Sequence, residues 1–179
     1  MTDTRTKSVK MTFKALYSYV LSTNVFSFMG LLSLLVSIGA LFICVIGWSQ
    51  ITTKQKIIFI IVGLMFTVIN PLILAFKTFR QLKLSVSYKK PLNYLFSDEG
   101  IKVSQGEETL DITWEDIVRI MLTKSMIAIY TGPVNAFVIP LSQLGEDKSK
   151  IISSVVQFTA AYRPRVSRNL KVYQTGKGI

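Results

Sequence analysis

The chain has 179 residues, half of them hydrophobic, with a formal net charge of +11, one cysteine and no histidine. This composition excludes an internal disulfide, a zinc site built from cysteine and histidine, and a nucleophile activated by a histidine base. Nine of the ten acids fall between Asp98 and Asp147, where Lys102, Arg119 and Lys124 are the only bases. The excess positive charge lies elsewhere, in both ends and around 77–90, so the acidic middle is no surface for nucleic acid.

Residues 1–24 form a basic N-terminus, with Arg5, Lys7, Lys10 and Lys14 against Asp3. From Ala15 to Thr53 no residue is charged, and a second uncharged run extends from Ile57 to Phe76 after Lys54-Gln55-Lys56. A membrane span needs about 20 apolar residues to cross roughly 30 Å of hydrocarbon. Both runs reach that length, which predicts transmembrane helices over 25–49 and 57–76 joined by a short outer loop. The first run is much longer than the roughly 7–15-residue core of a signal peptide, so it is expected to stay as an anchor. Lysine and arginine collect on cytoplasmic flanks. The flanks hold Arg5 to Lys14 and Lys77, Arg80, Lys83, Lys89 and Lys90, against two lysines in the loop. The expected topology is therefore N-in, C-in, in a bacterial cytoplasmic membrane.

Gly30, Ser33, Ser37, Ala40, Cys44 and Gly47 recur at steps of three and four, on one face of the first span. Gly63, Thr67 and Asn70 form a shorter stripe on the second. Small faces allow close approach between helices in lipid, so these residues are expected to form the hairpin interface. Dimerisation or an external partner helix is the alternative use of the stripe. Asn70-Pro71 predicts a kink near Thr67, whose carbonyl the proline ring crowds.

Residues 84–162 read as a small α+β domain. Six short strands are expected: Leu92–Phe96, Ile101–Ser104, Thr109–Thr113, Ile117–Thr123, Met126–Thr131 and Ala136–Pro140, arranged as an antiparallel meander. A helix follows over Glu146–Tyr162, on apolar spacing and on Pro164 just beyond it. It is expected to cover the open end of a small curved sheet or partial barrel. Residues 163–179 read as a basic, disordered tail. Arg163, Arg165, Arg168 and Lys171 in that tail, with Lys77, Arg80, Lys83, Lys89 and Lys90, are candidates for contact with anionic headgroups, each worth roughly 1 kcal/mol at a cytoplasmic leaflet.

No catalytic, metal or cofactor site is expected. Asp98-Glu99 and Glu115-Asp116 are acid pairs near turns, but no further oxygen ligand is placed by spacing; Asp116 reads instead as a cap before Ile117. Trp114 reads as a core or helix-packing residue rather than a binding aromatic. Gln105-Gly106-Glu107-Glu108 has no phosphate-loop spacing.

Three segments in order after the apolar helices carry a resemblance. They are Pro91-Leu92-Asn93-Tyr94-Leu95-Phe96-Ser97-Asp98-Glu99-Gly100-Ile101, Ile112-Thr113-Trp114-Glu115-Asp116-Ile117 and Ala136-Phe137-Val138-Ile139-Pro140. From the first span to Tyr162 the chain resembles the YcxB-like family of small bacterial membrane proteins. That resemblance implies a soluble part similar to pleckstrin-homology-like domains, a curved antiparallel sheet with a C-terminal helix. Family members often carry a basic residue after the Ile-Pro pair, where Leu141 stands here. The resemblance implies fold and location rather than a mechanism. The expected function is a non-enzymatic membrane protein presenting an interaction module at the cytoplasmic face, to a protein partner or anionic lipid. The alternative is an accessory or immunity-type subunit acting through its helices on a larger transporter or toxin target.

Overall fold

The computed structural model describes residues 5–162 and 164–168. They fall into a sheet-containing unit, drawn from Met1–Ser18 and Leu82–Ile179, and a helical unit, Tyr19–Gln81. The sheet-containing unit begins with a strand that sequence reasoning missed. Strand β1 (Arg5–Val9) pairs antiparallel with β2 (Leu92–Phe96), Val9 opposite Leu92 and Arg5 opposite Phe96. β2 pairs with β3 (Gly100–Gln105), and β3 with β4 (Glu108–Thr113), giving a four-stranded sheet in chain order. The β3–β4 hairpin turns at Gly106, which has φ +65°, a conformation glycine adopts without steric cost. The N-terminus is thus not only a basic flank, and 84–162 lacks the strand that completes its sheet.

The expected single meander is corrected to two sheets. β5 (Arg119–Leu122), β6 (Met126–Tyr130) and β7 (Ala136–Pro140) form a separate three-stranded antiparallel sheet. The division falls at a 3₁₀ turn, Trp114–Asp116. Asp116 accepts hydrogen bonds from the Thr113 backbone N–H at 3.1 Å and its hydroxyl at 2.7 Å, ending β4 and redirecting the chain. A second 3₁₀ turn, Gly145–Asp147, leads into a helix over Lys148–Tyr162, so regular α-helix starts two residues later than expected.

The core lies between the sheets and this helix. Tyr94, Phe96, Ile101, Val103 and Ile112 from the first sheet meet Ile120, Leu122, Ile127, Ile129 and Ile139 from the second, with Ile151, Val155 and Val156 from the helix and Val9 from β1. Trp114 is buried at the centre. Its indole N–H donates to the Ser97 carbonyl at 3.1 Å and its ring stacks on Phe158, with centroids 5.1 Å apart. Beyond the helix, Pro164–Arg168 is again helical, where a disordered tail was expected. Arg163 and Lys171 lie outside the described residues.

Helix α1 (Phe13–Val25) runs from the sheet-containing unit into the helical unit. The uncharged stretch from Ala15 is therefore broken: α1 ends, and α2 (Phe28–Ile46) starts at Ser27, whose hydroxyl accepts from the Gly30 N–H at 3.0 Å and donates to the Asn24 carbonyl at 2.7 Å. A second helix extends over Thr53–Leu84, 32 residues. It opens with Thr52 and Gln55 capping each other and contains a π-helical turn, Met65–Ile69, at the expected kink. Pro71 has no N–H for the Thr67 carbonyl, and the widened turn lets the Asn70 N–H reach back to Met65 instead.

Candidate functional site

Two helices, Phe28–Ile46 and Thr53–Leu84, are long and apolar enough to cross a membrane. At 1.5 Å per residue, 19 residues span about 28 Å, close to a hydrocarbon core of about 30 Å. Their large apolar side chains point away from the protein. Phe28, Leu35, Val45 and Ile46 are 68–78% exposed, while small residues are inside.

The structure sorts the small-residue stripe into roles. Ser37, Ala40 and Cys44 are buried in the helix pair, and the Ser37 hydroxyl donates to the Val62 carbonyl of the opposite helix at 3.0 Å. Facing them, Gly63 is buried where an added Cβ would overlap the Leu41 side chain. Ser33 is half-buried. Gly30 and Gly47 lie at the two ends of α2. A Cβ at Gly30 would overlap the Asn24 carbonyl, and Gly47 is the C-cap of α2. The Thr67 hydroxyl donates to the Gly63 carbonyl at 2.6 Å, within its own helix. Asn70 donates from its amide to the Asn24 side-chain oxygen at 3.1 Å, tying the long helix to the end of α1, a contact sequence spacing gave no sign of. Lys56, in the first turn of the long helix, lies over the ring of Trp48 in the preceding loop, 4.4 Å from its centroid.

Of the candidate headgroup-facing bases, Lys77, Arg80, Lys83, Lys89, Lys90 and Arg165 are exposed. Arg168 ends the short helix Pro164–Arg168. Burial raises the pKa of the nearby Tyr88 phenol. The acid pairs do not converge: among the described residues no three cysteine, aspartate or glutamate side chains gather as a metal would require. Asp98 and Glu99 are exposed at the β2–β3 turn, beside an open depression shared with Lys102 and Asp111, and those last two form an exposed pair at 3.5 Å.

A second depression, in the sheet-containing unit, is basic. Thr12 and Lys14 at the start of α1, Lys124 and Ser125 between β5 and β6, and Ser142 and Lys148 between β7 and the C-terminal helix line a volume of about 280 Å³. These side chains come from three distant stretches of chain, which no local spacing in the sequence brings together. Leu141 belongs to its wall as a buried residue, its backbone N–H bonded to the Ser125 carbonyl at 3.0 Å.

Residues 96–153 match the family model described as YcxB-like protein, which supports the resemblance over that stretch; it covers the end of β2 through the first turns of the C-terminal helix. No curated protein matches the chain.

Proposed function

We propose, on the premise of a YcxB-like segment over residues 96–153, that the chain is an integral protein of a bacterial cytoplasmic membrane. The helices Phe28–Ile46 and Thr53–Leu84 anchor a non-enzymatic, pleckstrin-homology-like module at the cytoplasmic face. Two antiparallel sheets of four and three strands followed by one helix support the finer fold reading. The observation that carries the membrane reading is the outward display of large apolar side chains on both helices, with Ser37, Ala40, Cys44 and Gly63 inside. Water penalises that arrangement and lipid does not. The pairing of β1 with β2 brackets the apolar insert, so a chain that enters the bilayer after β1 must return to the same side before β2.

The module works by concentrating a binding partner at the membrane, an effective-concentration effect, the partner being anionic lipid or an acidic-surface-complementary protein. The small-residue stripe named for an external transporter or toxin target is occupied by the hairpin itself, which counts against action through the helices. Sidedness tests the proposal. With Cys44 replaced by alanine, a membrane-impermeant maleimide should label Gln55→Cys in intact cells and Glu107→Cys only after lysis. Labelling of Glu107→Cys in intact cells, or release of the protein from membranes by alkaline carbonate, would overturn it.

A further inference from the structure

We propose that the basic depression of the sheet-containing unit binds a phosphate ester, the chemistry shared by a phospholipid headgroup and a free glycerol or sugar phosphate. Lys14, Lys124 and Lys148 reach it from three separate segments. Among the described residues none of these lysines forms an ion pair, whereas Lys7 pairs with Asp147 and Lys102 with Asp111 in the same unit. Three lysines line one depression with no acid among its lining residues, and a dianion bound there would offset their mutual repulsion. The acids next in sequence, Glu146 and Asp147, do not line the depression.

Hydroxyls complete the donor set. Thr12, Ser125 and Ser142 line the same depression. The Thr12 oxygen accepts from the Ala15 N–H at 3.3 Å, which leaves its proton to donate. Hydroxyl and ammonium donors together match a phosphate, which offers acceptors only. The walls are fastened to one another rather than to the ligand. Besides the Leu141–Ser125 bond, the Ser18 and Thr123 hydroxyls are 3.1 Å apart and the Lys10 N–H donates to the Gln143 side chain at 2.8 Å. Gly145, at φ +57° with open space where a Cβ would stand, leaves backbone rather than side chain on one wall.

Size narrows the ligand. A volume of about 280 Å³ lies just under the roughly 300 Å³ at which drug-sized pockets begin, enough for a phosphate and its ester arm.

The lipid source rests on the membrane reading; the free ester does not, and the experiment uses both. The full chain is purified in detergent, and phosphatidic acid retention is scored by native mass spectrometry against phosphatidylcholine. Glycerol 3-phosphate is titrated calorimetrically into the same protein in phosphatidylcholine nanodiscs. The Lys124→Gln/Lys148→Gln variant should lose at least about tenfold in affinity, each lysine accounting for roughly fivefold. Lys102→Gln, the same charge change outside the depression, should stay within about twofold. Melting curves confirm folding, and Lys124→Gln alone, at an exposed position, serves if the double variant unfolds. Retained phosphatidic acid that excess glycerol 3-phosphate does not displace identifies a lipid headgroup; displacement identifies a soluble ester. Equal losses in Lys102→Gln and the pocket variants, or no preference for either phosphate monoester, would overturn the site. A site that binds glycerol 3-phosphate in a protein whose sidedness labelling fails leaves this inference standing and removes only the anchor.

Discussion

The two units of this chain use the same residue types inside out. In the sheet-containing unit Ile117, Ile139 and Val155 are fully buried, and the exposed positions of β4 carry Glu108, Thr109, Asp111 and Thr113, with Leu110 the one large apolar side chain among them. In the helical unit the most deeply buried side chains among the described residues are Ser37 and Thr78, while Phe28 and Val45 are 78% and 74% exposed. Hydrophobic burial from water accounts for the first arrangement. The second gains nothing from such burial and is held by close backbone approach and hydrogen bonds such as Ser37 to Val62. On the proposed membrane reading each unit has its own solvent, and substitutions of one kind should have opposite weight in the two.

Truncating large aromatics gives the widest separation. Trp114→Ala removes a 1%-exposed indole, its hydrogen bond to Ser97 and its stack on Phe158. It should cost about 3–5 kcal/mol, much of the stability of a small domain. Phe28→Ala, at 78% exposure, should change stability by no more than about 0.5 kcal/mol. Denaturant unfolding of the full chain in mixed micelles, followed by far-UV circular dichroism, checks both. Comparable losses would mean that the helical unit buries its aromatics after all.

Enlarging a small residue should reverse the ranking. Gly63→Val places carbon atoms into space held by Leu41, and overpacking of this kind costs about 1–3 kcal/mol. Leu41 can turn aside in part, since the overlap is with its side chain rather than backbone. Gly39, with nothing within 4 Å of a Cβ, is the matched control, and Gly39→Ala should be neutral or slightly stabilising through helix propensity. Titration with sodium dodecyl sulfate from mixed micelles reads the helix pair. Equal effects at Gly63 and Gly39 would remove the tight contact.

The same contrast decides what the sequence revealed. Uncharged length needs only counting, so the helices were legible, as were β2 to β7, whose alternation and turn residues are local. Of the stripe read at helical spacing, Ser37, Ala40 and Cys44 are buried, while the cap at Ser27 and the cap at Gly47, which spacing alone does not show, bound the helix. β1 was hidden because its pairing partner lies more than 80 residues away and Arg-Thr-Lys-Ser-Val reads first as a charged flank. Asp116 was legible as a cap before Ile117, and the structure shows that cap, but a cap does not say that the strands after it join a separate sheet. The basic depression was illegible for the same reason as β1: Lys14, Lys124 and Lys148 meet only once the chain has folded.

A buried polar group sharpens the comparison at its small end. In the helical unit the Ser37 hydroxyl has a carbonyl partner. In the sheet-containing unit the Tyr94 hydroxyl is buried without a hydrogen bond among the described residues, and burial raises its pKa well above the usual tyrosine value. The folded phenol therefore keeps its proton where the unfolded chain, titrating near pH 10, has lost one. Above about pH 10 the unfolded state binds fewer protons, so stability falls as pH rises through the gap; below it the contribution is intact. Tyr94→Phe keeps the ring that stacks on Phe96 and removes the unsatisfied oxygen. At neutral pH it should gain about 1 kcal/mol, and its thermal midpoint should fall less than that of the parent between neutral pH and pH values above about 10. A variant that is less stable at neutral pH, with an unchanged alkaline slope, would show that the phenol is hydrogen-bonded in the folded protein and that the dry core drawn around it is wrong.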